Sequence, residues 1–128
     1  MMQGNYKIKF SQMLKNNPQH AVLTETGGGL DLKHTVVLPA NIEERELHIP
    51  SHWHQKLLMQ LSMVDKVYLM IEDIDKISAK EQEKFVSLLK DRRAGNFKLP
   101  DGVQIVISCS HMNQVCDSIK KLALYIES

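Results

Sequence analysis

Three acidic residues follow the most apolar run of the chain. Residues 67–71, VYLMI, are followed by Glu72, Asp73 and, after one isoleucine, Asp75. An apolar run bounded by charge predicts a buried strand, and ligand sites of parallel sheets usually lie at the carboxyl ends of their strands. These carboxylates are therefore the first candidates for chemistry. The alternative is a solvated strand end whose charges favour the amino terminus of the next helix.

A basic segment follows about twenty residues later. The sequence KDRRAGNFKLP interleaves Arg92, Arg93 and Lys98 with Phe97. Basic side chains around an aromatic ring can hold phosphates and stack a base, so these four residues are candidates for a partner contact. The alternative is an ordinary helix end, where basic residues complement the helix dipole.

Histidines and cysteines offer weaker signals. His52 and His54 are two positions apart on a predicted helix and diverge, so with His48 they do not predict a zinc site but surface or capping roles. Cys109 and Cys116 lack CxxC spacing and a secretory context, which predicts reduced, mostly buried thiols. No metal is expected.

Length and charge limit the elements that must position these residues. A chain of 128 residues with a net charge of +1 suits one α/β domain, and its scattered basic residues leave no footprint of an obligate nucleic-acid binder. No segment approaches the about 20 apolar residues that cross a bilayer, and the amino end has no signal-peptide core. We expect a soluble, cytoplasmic protein without a membrane contact.

In the first half of the chain the element signals are short. Residues 7–16 predict a helix that stops before Pro18. The segments AVLTE and HTVVLP flank Gly27–Gly29 and predict a hairpin, and ELHIP predicts a further strand. Ser51 is expected to cap a helix over HWHQKLLMQLSM, whose predicted apolar face contains Trp53, Leu57, Leu58 and Leu61.

In the second half the signals are stronger. Ser78 and Glu81 form an S-x-x-E capping box for a helix that runs to about Arg92 and is terminated by Gly95. LPDG predicts a turn, VQIVIS a fully apolar strand, NQVCDSIKKL a helix and ALYIE a last short strand.

This order of elements resembles the core of AAA+ ATPases, from the Walker B strand to sensor 1. The resemblance rests on VYLMIED, the capped helix, the turn KLPDG and the strand VQIVISCSHMN, and covers residues 51–128. It implies a three-layer αβα domain of P-loop NTPase type with a mostly parallel sheet and no lid. Residues 1–128 then form one domain, with 1–50 as a divergent amino-terminal part.

The resemblance also assigns residue roles. Glu72 and Asp73 occupy the Walker B places of the magnesium-orienting and water-polarising acids, in the reverse of the usual Asp-Glu order. Because catalytic geometry tolerates displacements of only about 1 Å, this order disfavours hydrolysis. Ser110 is the sensor 1-like residue, with Ser108 and Asn113 as alternatives. Near the carboxyl end, SIKKLALYIES contains lysines but no arginine finger.

The phosphate loop expected of such a domain is degenerate. A P-loop reads G-x-x-x-x-G-K-[ST], and its helix amino terminus completes the anion site. If Lys33 is the phosphate lysine, Gly27 matches the first glycine, but Leu32 and His34 replace the second glycine and the hydroxyl residue. HTVVLPA is β-branched and contains a proline, so no helix is expected to follow. We expect no cofactor, and ATP with Mg²⁺ only if the chain is a minimal ATPase.

The leading functional hypothesis is a non-catalytic interaction or regulatory module whose partner is a protein, either an ATPase or DNA-transaction machinery. Arg92, Arg93, Phe97 and Lys98 are its predicted contact residues. The alternatives are a minimal ATPase with a degenerate phosphate loop and a nucleic-acid accessory protein. A second copy of the chain is a further candidate partner.

Overall fold

A central parallel sheet organises the chain. The computed structural model describes residues 2–25, 33–49 and 52–125, with side chains from Ile8 onward. Five strands follow the spatial order β2-β3-β6-β1-β7, and every pairing between neighbours is parallel. Their bounds are β1 Val22–Glu25, β2 Thr35–Pro39, β3 Val67–Glu72, β6 Val103–Cys109 and β7 Leu124–Tyr125. A separate antiparallel hairpin pairs β4, Arg93–Ala94, with β5, Phe97–Lys98.

The two central strands have the sequence of strands covered on both faces. All seven residues of β6 are buried, as are Val67, Leu69 and Ile71 of β3. Near-continuous apolar runs are typical of strands in parallel sheets, because helices cover both sides. The predicted strands VYLMIE and VQIVIS are therefore confirmed.

Helices form the two outer layers. Helix α1, Met2–Asn16, covers one sheet face with Phe10 and Leu14, which pack with Val22, Met70 and Val106. On the other face lies the larger core, to which most of the remaining helices contribute buried residues. The remaining helices are α2 Glu44–His48, α3 His52–Leu61, α4 Ala79–Gln82, α5 Val86–Asp91 and α6 Asp117–Leu122. The result is the expected three-layer α/β domain.

The capping box is present as predicted. The Ser78 hydroxyl accepts a hydrogen bond from the Glu81 amide at 3.2 Å, which satisfies one of the unpaired donors of the first helical turn. The helical segment runs through a short 3₁₀ turn, Glu83–Phe85, into α5. It ends at Asp91 with Arg92 in the left-handed region (φ 53°), so Gly95 is not its terminator.

Gly95 instead forms the turn of the β4–β5 hairpin. Its φ is +61°, and a Cβ there would lie 2.3 Å from the His48 carbonyl oxygen. Glycine is needed on both counts, because other residues rarely adopt this φ and no side chain fits the approach. The hairpin turn is thereby seated directly on the end of α2.

Three predictions from the first half of the chain are wrong. β1 and β2 do not form a hairpin: β1 lies between β6 and β7, and β2 pairs with β3 at the sheet edge. ELHIP is not a strand, because Glu44–His48 is helical and buries Leu47, whereas Ile49 is 52% exposed. Leu58 of α3 is half exposed rather than in the core. A short run of apolar residues fits both helical and strand periodicity, and packing against the sheet determines which structure forms.

Among the described residues, no helix is long and apolar enough to cross a membrane. The predicted helix over residues 7–16 lies within α1, and the predicted helix after Ser51 is α3. Ser51 itself lies outside the described residues.

Candidate functional site

Glu72 and Asp73 lie at the carboxyl end of β3, as the sequence predicts. Glu72 is exposed, while Asp73 is half-buried and adopts the left-handed region (φ 61°). The Asp73 amide donates to Ser108 Oγ at 3.2 Å, and its carboxylate lies 3.9 Å from Lys76 Nζ. The two acids are therefore adjacent, but Asp73 is already engaged through both its backbone and its side chain.

Asp75 is the acid with the strongest structural contacts. The residue is 6% exposed, and Oδ2 accepts hydrogen bonds from the Ser110 amide at 3.1 Å and the His111 amide at 2.9 Å. The other oxygen, Oδ1, has no hydrogen-bond partner within the described part of the chain. Asp75 thus anchors the segment after β6. The sequence grouped it with the other two acids, and the one local difference is its position between Ile74 and Lys76, beyond the end of the strand.

Two further side chains fix the same segment. Glu25, at the end of β1, accepts a hydrogen bond from the Met112 amide at 2.6 Å. Gln82 is fully buried and donates to the carbonyls of Ile77 and Gln114, while its amide oxygen accepts from the Cys116 amide. The backbone amides of residues 110–112 are consequently held by the chain's own carboxylates. Sequence reasoning identified neither residue.

The sensor-like serines separate in the structure. Ser108 lies within β6, is 8% exposed, and accepts from Asp73. Ser110 and Asn113 lie beyond the strand and are exposed. Ser108 is thus brought next to the Walker B-like acids, and Ser110 contacts Asp75 through its backbone only.

Lys33 lies at the opposite end of the strands from these acids. It precedes Thr35, which is in register with Tyr68, whereas Pro39 at the other end of β2 is in register with Glu72. Four residues of strand cover roughly 13 Å at 3.3 Å per residue, so the Lys33 side chain and the acids are not brought together. Gly27 lies outside the described residues.

The connection between β1 and β2 is also short. Positions 26–34 supply nine residues between Glu25 and Thr35. The P-loop motif alone takes eight residues and must be followed by a helix whose amino terminus faces the phosphates. Nine positions do not accommodate both.

The basic segment forms the β4–β5 hairpin and divides into two roles. Arg92 is half-buried, and its Nη2 donates to the carbonyls of Pro100 at 2.8 Å and Val103 at 2.7 Å. Burial lowers the pKa of Arg92, and the nearby Asp101 opposes that shift. Arg93 and Lys98 are exposed and lie directly opposite each other across the hairpin. Of the predicted contact residues, Arg92 therefore stabilises the turn, and these two present their cations to solvent.

Phe97 is packed against α3 rather than open to solvent. Its ring stacks on His54 with centroids 4.2 Å apart and meets Trp53 edge-on at 5.9 Å. His54 is only 2% exposed, so the predicted surface or capping role for this histidine is wrong. His52 is exposed and His48 is half-buried.

The predicted buried thiol is confirmed for Cys109. Burial, together with the charges of Asp75 and Glu25, raises the pKa of its thiol to about 11. Cys116 is half-buried, and both cysteines are free. In the described part of the chain, no group of three or more potential ligand side chains is arranged to hold a metal ion.

The three-layer arrangement and the parallel strand order are similar to those of solved P-loop NTPase structures of the AAA+ type. Known structures with this fold include a DNA polymerase III gamma subunit-related protein from Thermotoga maritima, with a TM-score of 0.57 and 11% identity over 94% of this chain. The Thermotoga maritima RuvB Holliday junction branch migration motor has a TM-score of 0.56 and 13% sequence identity over 98% of this chain. A point mutant of RuvB from the same organism has a TM-score of 0.58 and 13% identity over 98% of this chain. Identities this low establish the fold alone.

The chain spans 45% of the length of each of these structures. No protein-family model matches the sequence, and none of the curated proteins does.

Proposed function

We propose that this chain is a non-catalytic AAA+-like interaction module that acts with a partner ATPase or with machinery that works on DNA. The observation that carries the proposal is the hydrogen bonding at the end of the sheet where the carboxyl termini of the strands lie. There the amides of residues 110–112 are bonded to Asp75 and Glu25, and the candidate phosphate lysine, Lys33, lies at the other end.

The charges at this edge also oppose nucleotide binding. Glu25 lies at the carboxyl end of β1, and Glu72, Asp73 and Asp75 lie at that of β3, with β6 between the two strands. Lys76–Asp73 is the only ion pair among the described residues. Two like charges 4 Å apart repel by about 1 kcal/mol in water and about 4 kcal/mol near a protein surface. Without Mg²⁺ to bridge it to these acids, a triphosphate placed here would meet several carboxylates and one cation, Lys76, which supports the expectation that ATP does not bind.

The β4–β5 hairpin is the contact surface in this proposal. Like charges opposite each other across a β-pair are destabilising, and Arg93 and Lys98 have no ion-pair partner among the described residues. Such local conflicts are expected at functional sites, where a partner supplies the missing charge. An acidic protein surface would complement the pair.

The solved structures with the same fold support the DNA-related context. One is a DNA polymerase III gamma subunit-related protein and another a Holliday junction branch migration motor. Both names concern processes on DNA, and we extend that context to this chain as part of the proposal. The second candidate function, a nucleic-acid accessory protein, is favoured by the same Arg93–Lys98 pair, which would also complement a phosphate backbone.

Thermal melting with ATP and Mg²⁺ tests the non-catalytic assignment. A ligand that binds only the folded state raises stability by about 2.7 kcal/mol at a hundredfold excess over its dissociation constant. We expect no rise in the melting temperature. A rise that disappears in Lys33→Ala, or in Asp73→Asn, would instead support the minimal ATPase.

Partner capture tests the hairpin. The full chain is cross-linked in its native host, and the captured protein is then purified and titrated with wild type, with Arg93→Ala/Lys98→Ala, and with Lys80→Ala as an exposed-lysine control. We expect weaker binding and a smaller salt dependence only for the double variant. A parallel titration with a labelled single-stranded DNA of mixed sequence separates the second candidate. Equal binding by all three proteins to both probes would reject the hairpin surface.

A further inference from the structure

An aromatic stack joins the β4–β5 hairpin to helix α3. The His54 ring contacts both Phe97, at 4.2 Å and nearly parallel, and Trp53, at 3.9 Å and edge-on. Ala94, the other inward residue of the hairpin, is 1% exposed. The inner side of the hairpin is therefore packed against α3, while Arg93 and Lys98 face outward.

The His54 ring is a buried titratable group whose one polar influence from the described residues is the backbone carbonyl of Leu47. His54 is 2% exposed, and neither of its nitrogens has a hydrogen-bond partner of good geometry among the described residues. A neutral imidazole tolerates such a site far better than an imidazolium, because burying an unpaired charge is costly. We propose that neutral His54 holds the β4–β5 hairpin against α3, and that protonation of this ring releases the hairpin.

No charged group in the described surroundings offsets protonation. On α2 the charged side chains Glu44, Arg45 and Glu46 are exposed, on α3 Lys56 is exposed, and on the hairpin Arg93 and Lys98 add positive charge. The neighbouring titratable groups are His48 and His52. Burial lowers the pKa of His54, and the backbone carbonyl of Leu47 opposes that shift.

The direction of the pH effect follows from this. Because the pKa of His54 is lower in the folded chain than in the unfolded chain, the unfolded chain takes up the proton first as pH falls. The contribution of the stack is complete above pH of about 6.5 and is lost as the pH falls towards the lowered value. Each pKa unit of lowering corresponds to a tenfold change in the folding equilibrium.

Apart from the aromatic contacts, the hairpin is attached by the packing of Gly95 on His48 of α2 and by hydrogen bonds at its base. At its base, the Leu99 amide donates to the Arg92 carbonyl, and the Arg92 guanidinium holds the carbonyls of Pro100 and Val103. These bonds do not involve the stack, so the base stays fixed when the tip moves. Regulation of partner binding by this movement rests on the proposed function, in which the hairpin is the contact surface.

The test begins with the imidazole of His54 in the folded wild-type chain, titrated by NMR. A pKa below 6.5 is expected, and a value at or above 6.5 would overturn the proposal. Backbone amide hydrogen exchange is then compared at pH 7 and pH 5, after correction for intrinsic rates. Hairpin amides of the wild type should lose protection at pH 5 while β3 and β6 keep theirs.

Two variants isolate the role of the ring. His54→Phe keeps an aromatic ring that cannot be protonated, so its hairpin should stay protected at pH 5. His52→Gln, at an exposed site on the same helix, should respond like wild type. An equal loss of amide protection at pH 5 in His54→Phe and wild type would reject the proposed role of His54. If His54→Phe does not fold, the wild-type titration and exchange data alone decide.

Partner binding separates this proposal from the previous one. Suppose that Arg93→Ala/Lys98→Ala leaves partner binding unchanged, while hydrogen exchange of the hairpin amides still depends on protonation of His54. The proposed contact surface is then wrong, and the proposed role of His54 in holding the hairpin is supported. If the double variant weakens partner binding but hydrogen exchange of the hairpin is independent of pH, the contact surface is supported and the proposed role of His54 is wrong.

Discussion

The Asp75 carboxylate accepts a hydrogen bond from the backbone amide of His111 at 2.9 Å, across the end of the sheet from the β3 side to the β6 side. The same oxygen also accepts from the Ser110 amide. The buried Asp75 carboxylate therefore stabilises the fold by holding two backbone amides, whereas Glu72, three residues earlier, is exposed to solvent.

Replacing Asp75 by alanine should destabilise the fold strongly. The change leaves two backbone amides without their acceptor, and hydrogen bonds to charged groups contribute about 1.5 to 3 kcal/mol. We expect a loss of about 2 to 4 kcal/mol, measured by urea unfolding. Asp73→Asn is the matched comparison, because it weakens only a partly exposed ion pair and should cost under about 1 kcal/mol. Similar losses in both variants would contradict this division of roles.

Phe97→Ala should reduce stability as well as partner binding. The sequence predicts Phe97 as a partner contact, but the ring is half-buried, stacks on His54 and meets Trp53 edge-on. Aromatic pairs contribute about 0.5 to 1.5 kcal/mol beyond area burial, so we expect a loss of roughly 2 kcal/mol in thermal or urea unfolding.

Arg93→Ala is the control for that experiment, because its side chain is exposed and should change stability by less than about 0.5 kcal/mol. An unchanged unfolding curve for Phe97→Ala would show that the stack contributes nothing to the fold.

The thiol of Cys109 should be unreactive in the folded chain. Its pKa of about 11 lies above that of an ordinary thiol, and the thiolate is the reactive form. At pH 8, Ellman's reagent should modify the half-buried Cys116 first and Cys109 only on unfolding, with Cys116→Ser as the control. As pH rises above about 8.5, the unfolded chain loses this proton first, so the thiol's contribution to stability falls. Rapid labelling of Cys109 in folded Cys116→Ser would contradict the raised pKa.

Several features of the fold follow from local sequence. The apolar runs of β3 and β6 could be identified because strands covered on both faces have near-continuous apolar sequences. The Ser78–Glu81 capping box could be identified because its partners are three residues apart. The acids at the end of β3 belong to the same group, since their place depends only on where the strand stops.

Sequence alone did not determine how β1 and β2 pair. Glycines between two β-rich segments favour a hairpin locally, but in the fold β1 pairs with β6 and β7, whose residues are about 80 to 100 positions away in sequence. The parallel pairing of β2 with β3 places Lys33 and the Walker B-like acids at opposite ends of these strands. The choice depends on burying both faces of β1, which no local pattern expresses.

The candidate site shows the same division. The sequence itself sets that residues 72, 73 and 75 are acidic and that Arg93 and Lys98 are basic. Only the tertiary structure decided three further roles. Asp75 accepts hydrogen bonds from residues 110 and 111, Arg92 stabilises a turn, and His54 is buried against Phe97. The partners of Asp75 and His54 are about 35 to 45 positions away in sequence, and those of Arg92 are 8 and 11 positions away. Such contacts exist only after folding has brought the residues together, so the role of each side chain follows from packing rather than from its neighbours in the chain.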